Sequence, residues 1–107
     1  MFGIDVSKNN GKIDWNLVKT NVPKIDFVII KATEGVGYID PNLKFNATEA
    51  KKAGFNISFY HFCSLNSYDV VKDSTAEANC FLAAIAGLPN DLPLALDIER
   101  KTKGVEL

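Results

Sequence analysis

Asp97 and Glu99 stand two residues apart in the apolar run Pro93 to Glu99 (PLALDIE). In an extended strand alternate side chains share a face, so their Cβ atoms lie roughly 6.5 to 7 Å apart and both carboxylates meet one surface. Like charges this close in a partly desolvated pocket push one pKa upward, leaving an acid beside an ionised neighbour. An acid for a leaving oxygen and a carboxylate to support an oxocarbenium-like transition state are what hydrolysis of a glycosidic bond requires. Standing alone, a D-x-E at a strand end is equally a solvated rim or a metal-ligand pair. The weight therefore falls on the residues that accompany it.

Those companions also sit at strand ends. Asp5 ends the alternating run Phe2 to Ser7, Lys31 and Glu34 follow the β-branched and aromatic run Ile25 to Ala32, and Tyr60 and His61 end Asn56 to Phe62. In parallel α/β folds, ligands bind at the carboxyl ends of strands, where loops and helix N-termini gather. Each residue has a blander reading. Asp5 could cap the turn after it, and it adds a third carboxylate only if its strand lies near the fourth. Lys31 and Glu34 could be a surface ion pair. His61 falls on the apolar parity of its strand and reads as a hydrogen-bonded structural residue. Trp15 reads as core packing, and as a sugar platform only if exposed.

The elements that must position these side chains follow from periodicity. Between the strands lie helix candidates at Asp14 to Lys19, Pro41 to Ala53 with Gly54 as a left-handed C-terminal cap, and Asp69 to Ala86 ending at Gly87. Thr33 to Asp40 reads as a loop. The order is β-α-β-α-β-α-β without a hairpin signal, which predicts a parallel α/β sheet with helical crossovers. Successive strand ends fall roughly 26 to 36 residues apart, the length of βα units. Parity places Gly3, Asp5 and Ser7 on one face of the first strand, Ser58, Tyr60 and Phe62 on one face of the third, and Ala95, Asp97 and Glu99 on one face of the fourth. The opposite faces carry large apolar residues for packing on helices, as in a barrel wall.

Length and composition narrow the function. The chain has 107 residues, 47 % hydrophobic and 23 % charged, which fits one globular domain and no second. Twelve Lys and Arg against thirteen Asp and Glu give a net charge of -1, with no basic run to follow a phosphate backbone, so nucleic acid is not an expected partner. No apolar stretch approaches the roughly 20 residues that span a bilayer, and no export leader precedes the first strand. Neither a membrane partner nor a signal peptide is expected. Cys63 and Cys80 read as free, buried thiols. They lack metal-ligand spacing, and His61 does not complete a zinc site with them, so no metal or other cofactor is expected. The Asn46-Ala47-Thr48 and Asn56-Ile57-Ser58 triplets carry no weight as glycosylation signals.

Taken in order, Gly3-Ile4-Asp5-Val6-Ser7, Lys31-Ala32-Thr33-Glu34-Gly35, Tyr60-His61-Phe62 and Asp97-Ile98-Glu99 resemble the glycoside hydrolase family 25 lysozymes. The resemblance covers about Phe2 to Glu99 and includes Asp40-Pro41. It implies an N-acetylmuramidase acting on the β-1,4 bond between N-acetylmuramic acid and N-acetylglucosamine in peptidoglycan, without a cofactor, on the bacterial cell wall, reached by release at lysis or from outside. It implies that Glu99 is the general acid, that Asp97 supports the developing positive charge or orients the substrate N-acetyl group, and that Asp5 tunes the pair. Lys31, Glu34 and Tyr60 would line the groove. A covalent intermediate and assistance by the substrate's N-acetyl group both remain open.

Family members are irregular TIM-like (β/α) barrels of eight strands and roughly twice this length. Residues 1–107 are therefore expected to be the N-terminal part of one such catalytic domain, its first four strands, with later strands and a further active-site Asp supplied elsewhere. Activity is expected to need that C-terminal half, and a complementary half or self-association is an expected partner. Two other readings stand beside the enzyme. One is an inactive half-barrel that binds peptidoglycan glycan or a complementary chain. The other is a flavodoxin-like open sheet with a small ligand, for which Gly35 and Gly37 lack the third glycine of a phosphate loop.

Overall fold

The computed structural model describes residues 2–21, 24–64 and 70–98, with 70–72 as backbone alone. Strands β1 (Gly3–Val6), β2 (Phe27–Glu34), β3 (Tyr38–Ile39), β4 (Asn56–Phe62) and β5 (Ala95–Asp97) alternate with helices α1 (Trp15–Asn21), α2 (Leu43–Lys52) and α3 (Val70–Ile85). The sheet order is β1-β2-β4-β5, and each of these neighbours is parallel. The order never reverses, so the described strands contain no topological switch point of the kind an open flavodoxin-like sheet uses to bind its ligand. Right-handed crossovers that always step the same way place their helices on one side, which leaves the other side as a concave wall.

The expectation of a sheet free of hairpins fails at Thr33 to Asp40. Gly35 (φ 56°) and Gly37 (φ 90°) supply left-handed backbone around Val36, and β3 folds back antiparallel on the end of β2, pairing Glu34 with Tyr38 and Thr33 with Ile39. Only two residue pairs form, too few for an alternation to be visible in the sequence.

Parity sorts the side chains as expected on most strands. Val6, Val28, Ile30, Ile57 and Phe59 pack on the helix side with Trp15, Leu43, Ala47, Ala50, Phe81 and Ile85 in one apolar cluster. Each large side chain fully buried there contributes about 2 to 3 kcal/mol. Trp15 is core: 2 % exposed, edge-on to Phe55, with its Nε1–H donating to Asn46 Oδ1. Asn46 is itself fully buried, so its triplet is closed to any glycosyl transfer.

Helix α2 ends as its sequence predicts. Gly54 takes φ 99°, its N–H donates to the Lys51 carbonyl, and the Phe55 N–H reaches back to Ala50, closing the last carbonyls of the helix. This turn delivers Phe55 to the core and starts β4 at Asn56.

The fourth predicted strand differs most. β5 is three residues long where Pro93 to Glu99 were expected, and Glu99 lies outside the described residues. Its apolar side was expected to be covered by helices, yet Leu94, Leu96 and Ile98 are 37, 64 and 49 % exposed. On that side Leu96 and Ile98 border a small cavity with Ser74, Glu77 and Ala78 of α3, which covers them only in part.

Candidate active site

β1 and β5 are the two edges of the main path, yet Asp5 and Asp97 line the same two cavities on the concave side. One, of about 290 Å³, is walled by Asp5, Ile29, Tyr60, Ala95 and Asp97. The other, of about 510 Å³, shares Asp5, Tyr60 and Asp97 with the first and is otherwise lined by Ser7, Asn9, Lys31, Glu34 and Phe62. Neighbouring strands stand about 4.8 Å apart, so the edges of a flat sheet this wide would lie well over 10 Å from each other. Curvature brings both walls to one concavity.

Each acidic group is fixed by its strand end. Asp5 pairs in register with Ile29, and β1 stops in a short 3₁₀ turn (Lys8–Asn10) capped on both sides: Ser7 Oγ accepts from Asn9 N–H, and Asn10 Oδ1 accepts from Ser7 N–H. Asp97 sits opposite Phe62, and its carbonyl accepts from the Cys63 N–H at 2.9 Å. Asp5 is exposed and Asp97 half-buried, with Tyr60 between them on β4. Ser7 lies on the groove with Asp5, as parity places it, while Asn9 is a groove residue that the sequence did not single out: the capped turn after β1 brings it to the rim, and no motif marks it.

Lys31 and Glu34 are three residues apart, and on a regular strand they would point to opposite faces. The β2–β4 register jumps between Lys31 and Thr33, so Lys31 pairs with Tyr60 while Thr33 pairs with His61. That bulge at Ala32 reverses parity. It turns Glu34 onto the groove side beside Lys31 and sends Thr33 to the helix side. Lys31 Nζ donates to Glu34 Oε1 at 2.6 Å, with the lysine side chain 11 % and the glutamate 43 % exposed. The ammonium also stands 5.6 Å from the ring centres of Tyr38 and Phe62. This is a half-buried pair inside the groove, not the surface pair that spacing alone allows. Since it is internally neutral, Asp5 and Asp97 leave the described groove with a negative balance, suited to a substrate that gains positive charge.

Asp40 holds the rim together from beneath. It is 2 % exposed, its Oδ2 accepts from the Lys8 N–H and its Oδ1 from the Asn42 N–H, so one carboxylate ties the turn after β1 to the start of α2.

His61 is on the opposite side of the sheet from the groove and 1 % exposed. Its Nδ1 meets Thr33 Oγ1 at 2.7 Å and its Nε2 meets Glu77 Oε1 at 2.7 Å. This is the hydrogen-bonded structural role its parity predicts. Both cysteines are free thiols; Cys63 is buried and Cys80, expected to be buried, is half-exposed on α3. Burial pushes the Cys63 thiol up, with the Glu77 and Asp97 carboxylates adding to the rise. His61, Cys63 and Glu77 place one donor atom each within 4.8 Å of one another. No spacing rule finds this cluster, because Glu77 comes from α3, 16 residues beyond His61.

Comparison with known proteins agrees with this architecture. A model of the family described as Glycosyl hydrolases family 25 matches residues 4–106. The autolytic lysozyme of Clostridium acetobutylicum is 40 % identical over 99 residues, which are 92 % of this chain and 28 % of that protein. Two solved structures superpose closely. A bacterial lysozyme from Streptomyces coelicolor (TM-score 0.76, 39 % identity) is matched over 95 % of this chain and 46 % of its own. A family 25 glycosyl hydrolase from Bacillus anthracis (TM-score 0.78, 30 % identity) is matched over 94 % and 43 %. The chain thus spans less than half the length of these relatives and forms part of a TIM-like barrel. With the family pattern running through β1 to β5 and the same fold in both solved relatives, the chain belongs to glycosyl hydrolases family 25.

Proposed function

We propose that this chain carries the N-terminal part of a muramidase active site, hydrolysing the β-1,4 bond between N-acetylmuramic acid and N-acetylglucosamine of peptidoglycan once the remaining wall of the barrel is in place. The observation that carries this reading is the shared concavity of Asp5 and Asp97. In it Asp97 supports the positive charge that develops at the anomeric carbon or orients the N-acetyl group, and Asp5 tunes the acidic pair from the opposite wall. Glu99, next on the same parity and outside the described residues, protonates the leaving oxygen. Lys31, Glu34 and Tyr60 offer donors and acceptors to sugar hydroxyls along the larger cavity. The named lysozymes among its relatives support the substrate class. The protein acts on the cell wall.

A second reading rests on β5. Leu94, Leu96 and Ile98 form an exposed apolar side on an edge strand, which suits docking of a complementary chain by a half-barrel without turnover of its own. One experiment separates the two: clearing of a cell-wall suspension by the purified chain, alone and mixed with the C-terminal half of a family 25 barrel, with Glu99→Gln as control. Clearing by the mixture but not by its Glu99→Gln version supports the enzyme. A mixture that forms a complex and sediments with walls, yet clears nothing, supports the binding module.

A further inference from the structure

On the helix side of the sheet, away from the groove, three potential metal donors of different chemistry are buried together. His61 and Cys63 come from the end of β4 and its continuation, and Glu77 from the facing side of α3; their donor atoms lie within 4.8 Å of one another. The packing of the two elements is fixed beside them by the His61 and Phe81 rings, 5.6 Å apart. We infer that His61, Cys63 and Glu77 form a site for a divalent zinc-like cation.

The donor set fits such an ion. Thiolate, imidazole and carboxylate are the ligands of Zn²⁺, and with a neutral imidazole the two negative charges match the ion's two positive ones, so the filled site buries no net charge. In a tetrahedral site the donors stand roughly 3.3 to 3.8 Å from one another, given metal distances of about 2.0 to 2.3 Å. The present separations, 2.7 Å between His61 Nε2 and Glu77 Oε1 and none above 4.8 Å, reach that range by movements of about 1 Å or less. The three residues share a cavity of about 140 Å³ with Ser74, Leu96 and Ile98, which leaves room for water as a fourth ligand.

The surroundings orient the imidazole as a ligand needs. Thr33 Oγ1 stands 2.7 Å from Nδ1, on the far side of the ring from Glu77. Without metal, the neutral tautomer that carries its proton on Nε2 donates from there to Glu77 and accepts at Nδ1 from the Thr33 hydroxyl. With metal, Nε2 gives its lone pair to the ion, the ring proton resides on Nδ1 and is donated to Thr33 Oγ1. The thiol proton is the one released to solvent, and no electron is transferred.

The test is titration of the full chain with Co²⁺, a spectroscopic substitute for Zn²⁺, followed by displacement with Zn²⁺. The expected result is saturation at one equivalent, with the visible bands of tetrahedral cobalt and a near-ultraviolet thiolate-to-cobalt band, all bleached by Zn²⁺. Cys63→Ser, a near-isosteric change, should abolish the thiolate band and weaken Zn²⁺ binding at least tenfold. Thr33→Val should weaken it about 10 to 100-fold while keeping the band. Cys80→Ser should change neither. Absence of the bands at one equivalent of Co²⁺, or bands that persist in Cys63→Ser, would overturn the assignment. Neither readout depends on cell-wall hydrolysis.

Discussion

Asp5 on β1 and Asp97 on β5 belong to the two opposite edges of the sheet, and both face the same concavity, with Tyr60 of β4 between them. A solvated rim would not produce this. Two acidic side chains from strands far apart in sequence converge only where the wall curves, and a curved wall of βα units is what carries a groove at its strand ends.

If that concavity is the catalytic groove, both carboxylates matter to turnover and not to folding. In the assembled enzyme, Asp97→Asn and Asp5→Asn are each expected to lower the rate of wall hydrolysis at least about 10²-fold. Asp5→Asn should leave the thermal midpoint unchanged, since the carboxylate is exposed. Rates are read by turbidity clearing and folding by circular dichroism. An Asp97→Asn enzyme at full rate would remove that residue from the chemistry.

The bulge at Ala32 makes a different prediction. It places Lys31 and Glu34 together on the groove side, so the pair should be coupled in spite of its odd spacing. A double-mutant cycle of Lys31→Met and Glu34→Gln, measured by urea unfolding, should give a coupling of about 1 to 2 kcal/mol, above that of exposed pairs because the ammonium is largely buried. A coupling near zero would return the pair to the status of a surface contact.

Asp91 fixes the approach to β5. Its Oδ2 accepts from the Ile57 N–H at 2.8 Å, both its oxygens accept from Lys51 Nζ at 2.8 and 2.9 Å, and Ser58 Oγ donates to the carbonyls of Leu92 and Pro93 just beyond. The Lys51 ammonium first, and the Ile57 N–H second, hold the Asp91 carboxyl below its usual value. The folded pKa is thus lower than the unfolded one of about 3.9. The stabilisation is fully present above the unfolded value and is lost as pH falls through the folded one. Asp91→Asn should cost about 1 kcal/mol or less at neutral pH, by exchanging a charged for a neutral acceptor at the Ile57 N–H, because the lysine end is solvent-exposed and screened. The gap between the two proteins should close in acid; a gap that persists at pH 2 would contradict the assignment.

Gly3 sits under the ring of its register partner Phe27, where any added Cβ would overlap the aromatic carbons. Gly3→Ala should therefore push Phe27 aside and cost about 1 to 3 kcal/mol, with a change in the Phe27 ring resonances by nuclear magnetic resonance. A neutral substitution would show that the ring has free space to retreat into.

Strand parity was the most informative signal in the sequence. It placed Asp5, Tyr60 and Asp97 on one face because in β1, β4 and β5 nothing interrupts the period of two. It offered nothing for β2, where an extra residue at Ala32 leaves no mark on hydrophobicity yet inverts every side chain after it. The hairpin at β3 was missed because two residue pairs carry no period. The Thr33, His61 and Glu77 contacts join β2, β4 and α3 through packing, and sequence spacing does not record which helix face meets which strand. The flank of β5 shows the opposite limit: Leu94, Leu96 and Ile98 read as a face packed on helices, yet they remain 37 to 64 % exposed, with α3 only bordering Leu96 and Ile98 across a small cavity.

That bare flank links two properties usually handled apart. Another polypeptide segment laid along the open margin of β5 would satisfy its outward backbone groups, shield Leu96 and Ile98 from water, and raise the next side of the cleft beside Asp97. Resistance to clumping in solution and competence toward sugar would then arrive in a single docking event, so a screen for soluble pairings is at the same time a screen for working ones.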